Sequence, residues 1–136
     1  MNSITLNLYY YFFQDNNNLL LLESLLNEFY SSNSTNTRKK EIEQSLNSFQ
    51  NIPKSWEYCV NSLANFNNQY LWFFSVSSVE VIITKKWISL PKDDRLQIRD
   101  TIWKIYINFP TSIFGMQRDK IAQLLALIGK REFPVI

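Results

Sequence analysis

The chain has 136 residues and a formal net charge of +2, with 46% apolar and 15% aromatic residues, so it can bury one sizeable core. That near-balanced charge excludes the dense basic face nucleic acid requires, since the basic clusters are only Arg38-Lys39-Lys40 and Lys85-Lys86. The absence of His, the single Cys59 and the two glycines Gly115 and Gly129 remove the commonest general base, any intrachain disulfide, a Cys/His zinc site and a Gly-rich phosphate loop.

Residues 1–18 read as a disordered or loosely packed leader. Leu8-Tyr9-Tyr10-Tyr11-Phe12-Phe13 runs into Gln14-Asp15-Asn16-Asn17-Asn18, an aromatic cluster followed by an Asn tract. No Lys or Arg precedes the first apolar stretch, which argues against a secretory signal. The apolar stretches 19–22 and 71–83 are too short or too interrupted to span a membrane. A soluble intracellular protein is expected.

The folded part, residues 19–136, breaks every fifteen to twenty residues, as helices joined by short turns do. Helix one is predicted over 19–31, with Leu19, Leu22, Leu26 and Phe29 on one face. The polar run Ser31 to Asn36 ends it and offers capping oxygens to helix two, 37–50. Helix two buries Ile42, Leu46 and Phe49 and turns Glu41 and Glu43 outward. Ile52-Pro53 opens helix three, 53–66, with Trp56, Val60, Leu63 and Cys59 inward; Cys59 acts as a small apolar residue in a reducing compartment.

After a turn at Asn67-Asn68, helix four is predicted over 69–87. Its β-branched residues Val76, Val79, Val81, Ile82 and Ile83 favour strand locally, but its length without Gly or Pro argues for helix. Leu90-Pro91 opens helix five, 92–108, with Asp93 and Asp94 as first-turn acids facing the helix dipole and Leu96, Ile102, Tyr106 and Phe109 inward. Pro110 ends it, and Thr111-Ser112 supplies a cap for helix six. That helix, 113–129, buries Ile121, Leu124, Leu125 and Ile128 and ends on Gly129.

Six helices give three pairs, starting near residues 19, 53 and 91. That spacing lies within the range of helix-pair solenoids. Spacing alone does not separate a solenoid from a six-helix globule, but apolar residues on more than one face of each helix favour an all-α, right-handed superhelical solenoid of about three antiparallel helix pairs of HEAT or armadillo type. With no polar capping repeat near Phe133-Pro134-Val135-Ile136, the solenoid is expected to be a fragment of a longer one. No catalytic residue, metal site or cofactor is expected: this composition predicts a binding protein rather than an enzyme.

Two stretches resemble the importin-β family of nuclear transport receptors. Thr37 to Phe49 is similar to the family's second helix, where a basic start leads into Glu-x-x-Leu-x-x-Phe and then a turn with proline and tryptophan, here Pro53 and Trp56. Val79 to Pro91 is similar to its helix-to-turn signature, a basic residue and tryptophan followed by Leu-Pro. Within the family one export receptor fits best, through Glu23 to Tyr30, Arg38 to Glu43, Ser55 to Cys59 and Ile128 to Pro134. Residues 1–18 have no counterpart in it.

The resemblance implies a HEAT-repeat receptor that binds the small GTPase Ran in its GTP form and shuttles between nucleus and cytoplasm. It implies a protein cargo, for the best-fitting receptor actin with profilin, held by repeats absent here, and contact with nucleoporins. It also implies that Ran meets the second helix of each pair, hence helices two, four and six. On helix four the stripe Phe73, Ser77, Glu80 and Thr84, with Lys85 beside it, is then a candidate Ran contact, with the neighbouring stripe of Phe74, Val81 and Trp87 expected to pack inside. Glu80 and Lys85 are its leading polar members. Arg38 and Lys39 are further candidates, because cations at the start of a helix oppose its dipole and so suggest another use. The alternative for each is an ordinary solvated residue. Trp87 is expected in the core. For the whole chain the alternatives are another receptor of the same family, or a helical-repeat scaffold unrelated to transport.

Overall fold

The computed structural model describes residues 17–51, 54–66, 68–110 and 115–133. The expected leader therefore lies outside the described residues except for Asn17 and Asn18, which begin a helix. The start proposed at Ile52-Pro53 and the cap at Thr111-Ser112 also lie outside them. Among the described residues there are six α-helices and no strand, so the all-α expectation holds. None of these helices is long and apolar enough to cross a membrane.

The helices are α1 (Asn17–Phe29), α2 (Asn36–Gln50), α3 (Trp56–Ser62), α4 (Gln69–Val81), α5 (Lys92–Ile107) and α6 (Gly115–Glu132). Between α4 and α5 the chain continues as a π-helical turn, Ile82–Lys86, and a 3₁₀ turn, Trp87–Ser89. The chain divides into two compact units, Met1–Ser55 with Asn68–Leu71, and Trp56–Asn67 with Trp72–Ile136.

In the first unit α1 packs on α2. Leu22, Leu25 and Leu26 recur at three- and one-residue steps and are buried, as are Ile42, Leu46 and Phe49 at steps of four and three. The turn between the helices is closed by short-range bonds from Ser31 N to Glu28 O and from Ser34 N to Ser31 O. Thr35 then caps α2, its hydroxyl accepting from Arg38 N at 3.1 Å. Arg38, which opposes the α2 dipole, finds its use here: its guanidinium pairs with Glu28 of α1 and with Glu41 at 3.2 Å. Glu41 therefore turns inward to Arg38 and is half-buried, while Glu43 is exposed as expected.

In the second unit α5 packs on α3 and α6, and α6 also packs on the π-helical turn. The buried set includes Trp56, Cys59, Val60 and Leu63 from the α3 region, and Ile98 and Ile102 from α5. Ile121, Leu124 and Ile128 of α6 join it at steps of three and four. Trp72 is 0% exposed and its indole Nε1 donates to Leu63 O at 2.9 Å, so a large ring is buried without an unmet polar atom.

Five details differ from the expectation. α3 is only Trp56–Ser62, because Ser62 Oγ donates to Tyr58 O at 2.6 Å and the chain then tightens into i-to-i+3 bonds at Leu63, Ala64 and Asn65. α4 ends as an α-helix at Val81, where Val81, Ile82, Ile83 and Thr84 form an unbroken β-branched run. Thr84 Oγ1 donates to Glu80 O at 2.8 Å there, and the winding loosens to π. The inward face of α4 is Leu71, Trp72, Val76 and Val79, with Ile83 beyond it, while Phe74 and Val81 are only half-buried. On α5 Ile98 and Ile102 are buried while the expected Leu96 and Tyr106, with Phe109 beyond the helix, are half-buried, and on α6 Leu125 is half-buried. Gly129 is not a terminal cap, since α6 runs through it to Glu132 and no glycine has positive φ.

Candidate partner-binding face

α4 separates its residues by period. Leu71, Trp72, Ser75, Val76, Ser78 and Val79 are buried, Phe74 is half-buried, and Phe73, Ser77 and Glu80 turn to solvent. Phe73, Ser77 and Glu80 are all exposed, at steps of four and three, so they form one outward stripe. Thr84, one step further, is half-buried and spends its hydroxyl on Glu80 O and, at 3.5 Å, on Val81 O. Lys85 is exposed in the π-helical turn. The structure therefore brings Phe73, Ser77 and Glu80 onto one free face and sets Thr84 and Lys85 at its far end. Neither the Glu80 carboxylate nor the Lys85 ammonium has an ion-pair partner among the described residues.

Arg38 and Lys39 belong to the other unit. Arg38 is engaged: its bond to Glu28 holds that carboxyl below its ordinary pKa, and the same pairing raises the guanidinium's own. Both side chains keep substantial exposure, 31% for Arg38 and 41% for Glu28, so water screens the pair. Lys39 lies with its ammonium 6.0 Å from the centre of the Phe29 ring, at the outer limit of a cation–π contact.

Other surface groups were not singled out from the sequence. Tyr30 and Tyr70 stack at 4.5 Å and 16° in the first unit although both are exposed, and Asn68, which caps α4 by accepting from Leu71 N, reaches Asn27 at 3.4 Å. Tyr70 stands three residues before Phe73 on the helical repeat, which was a readable signal. Trp103 and Ile107 of α5 are more than half exposed, four residues apart. A mostly apolar recess of about 340 Å³ lies between the Phe66 loop and the Thr101–Asn108 side of α5. Trp87 is 2% exposed, as expected for core, yet its indole N–H finds no acceptor among the described residues. Cys59 is buried, and burial pushes its thiol up to about 12 despite a hydrogen bond with Ser78. Among the described residues no group of three His, Cys, Asp or Glu is placed to hold a metal.

Comparison with known proteins places these helices in a family. The family model described as the importin-beta N-terminal domain matches residues 42–108, which run from α2 to the end of α5. The chain belongs to the importin-β family. At the level of single proteins its similarity is to exportins. It is 32% identical over 111 residues to Exportin-6 of Danio rerio, covering 82% of this chain and 10% of that protein. It is 29% identical over 122 residues to Exportin-6 of Dictyostelium discoideum, covering 80% and 11%. To Exportin-1 of Schizosaccharomyces pombe it is 27% identical over 101 residues, covering 71% and 9%. The chain thus spans about a tenth of the length of the curated relatives it matches.

Proposed function

We propose that this chain supplies the Ran-binding repeats of a nuclear export receptor of the Exportin-6 kind. The receptor is a right-handed HEAT-type solenoid that takes Ran in its GTP form and carries protein cargo from nucleus to cytoplasm. Its role is binding, without catalysis. Actin with profilin is the proposed cargo, held on repeats beyond those described, and nucleoporins are the proposed contacts during passage.

The observation that carries the reading is the free outward stripe of α4, Phe73, Ser77 and Glu80, on a helix inside the matched importin-β region. Phe73 offers apolar area at 38% exposure, and Glu80 and Lys85 offer charges with no internal ion pair. Such a mixture suits a protein partner: an aromatic anchor for affinity, with charges that select the partner and speed its approach. Ran is therefore proposed to meet Phe73, Ser77, Glu80, Thr84 and Lys85. Arg38 and Lys39 are separate candidates, Arg38 through the donors its carboxylate partners leave free.

The test is calorimetric titration of the chain with Ran loaded with GTP or with GDP. Binding to the GTP form at least tenfold tighter supports the proposal. Equal or absent binding by a chain that is folded by circular dichroism favours a helical scaffold unrelated to transport.

A further inference from the structure

The irregular winding after α4 builds a feature that the repeat pattern does not require. The π-helical and 3₁₀ turns open a recess of about 250 Å³, lined by Thr84, Lys85, Trp87, Ile88, Ser89 and, from α6, Arg131. π-turns inserted in α-helices are frequent at functional sites. Arg131 donates to the carbonyl of Thr84, so one guanidinium N–H is used and four remain. Lys85 is exposed and has no ion pair among the described residues. The hydroxyls of Thr84 and Ser89 spend their protons on backbone carbonyls, at 2.8 Å each. No carboxylate lines the recess, so the charge there is positive. Beside these donors Ile88 stands 86% exposed, the most open apolar side chain among the large ones described.

We propose that this recess receives a carboxylate of an acidic protein segment, held by Lys85 and Arg131, with a neighbouring apolar residue of that segment resting on Ile88. The charge complementarity picks an acidic group, since Arg binds a carboxylate through two parallel N–H bonds and Lys adds a point charge. Ile88 picks a segment of protein over a free anion, because a bare ion gains nothing from an exposed aliphatic side chain. The inference deepens the reading above by giving the chemistry at one end of the α4 face. It rests on that reading only for which protein bears the carboxylate.

The experiment is fluorescence anisotropy of the whole chain with a fluorescein-labelled peptide of alternating glutamate and leucine. A glutamine–leucine peptide and inorganic phosphate serve as comparison ligands. The acidic peptide is expected to bind at least tenfold tighter than the neutral one. Lys85→Gln should weaken it about fivefold and Arg131→Gln about tenfold. Lys92→Gln, the same charge change at an exposed site on α5, should alter it less than twofold. Lys85 makes no ion pair that folding needs, so its variant carries the test even where Arg131→Gln disturbs the turn. Equal binding of the two peptides, no binding up to millimolar concentration, equal effects of Lys85→Gln and Lys92→Gln, or displacement by phosphate at the peptide's own concentration would each overturn the proposal. The titration contains no Ran, so its failure is distinct from failure of the Ran reading.

Discussion

α2 and the stretch Gln69–Ser89 are both helical, but their order has different sources. α2 is specified locally at almost every step. Thr35 caps it, Arg38 ties its first turn to α1, and Ile42, Leu46 and Phe49 form a narrow apolar stripe. Gln69–Ser89 is apolar on most faces and β-branched at its end, and it changes winding twice, from α to π to 3₁₀. Its helix is held by burial of Leu71, Trp72, Val76 and Val79 rather than by propensity. The stretch with the weaker local specification is the one that carries the free face and the donor-lined recess. Where tertiary burial fixes a helix, its outward residues are free of structural duty, and its irregular end can be shaped for a ligand.

The comparison breaks most severely at Trp72. Trp72→Ala should cost about 3–5 kcal/mol in urea denaturation, from the cavity and from the Leu63 carbonyl left without its donor. A loss under about 1 kcal/mol would show that burial does not hold α4. Cys59 gives the next effect. Its folded pKa, about 12, lies above the unfolded value of about 8.5, so the folded state keeps a proton that the unfolded state releases. Stability from this source is intact below about pH 8.5 and falls as pH rises toward 12, by at most about 1.4 kcal/mol per pH unit. Cys59→Ala should show a shallower alkaline decline, and a thiol reagent should label the native chain only at the rate of opening.

A smaller effect is expected from Arg38→Ala, about 0.2–1 kcal/mol, because the pair with Glu28 is partly solvated. Glu28 has a lowered folded pKa, so this contribution is present above about pH 4.3 and vanishes as pH falls through the lowered value. The gap between wild type and variant should close at acid pH. The smallest change sharpens the contrast in winding. Thr84→Ala removes the hydroxyl bonds to Glu80 O and Val81 O, and should alter stability by no more than about 0.5 kcal/mol. Amide exchange should then show greater protection over residues 82–86 if the back-bonding helps to impose the π winding.

The sequence made α1, α2, α5 and α6 legible because each carries a helical apolar period with a polar remainder, and Thr35, Pro91 and Asp93-Asp94 mark starts by simple chemistry. The α4 stretch was legible as a helix by length alone. Its inward face was misjudged because Leu71 to Phe74 are all apolar, and period cannot choose among four candidates in a row. The early end of α3 depends on a Ser62 hydroxyl turning back to Tyr58, which composition does not reveal. Gly129 misled because a cap glycine and a mid-helix glycine are the same letter. At the candidate face, the Phe73–Glu80 stripe was readable from spacing. Arg131 at the recess was not, since its meeting with Thr84 joins residues far apart in sequence.

The most direct measurement of the central claim is the affinity of Glu80→Lys for Ran-GTP, compared with wild type by calorimetry and with helicity checked by circular dichroism. Glu80 is exposed and its side chain has no ion pair among the described residues, so reversal should leave the fold intact. The account predicts a loss of at least tenfold in affinity. Unchanged affinity in a wild type that binds Ran-GTP would contradict the placement of the contact on the outward stripe of α4.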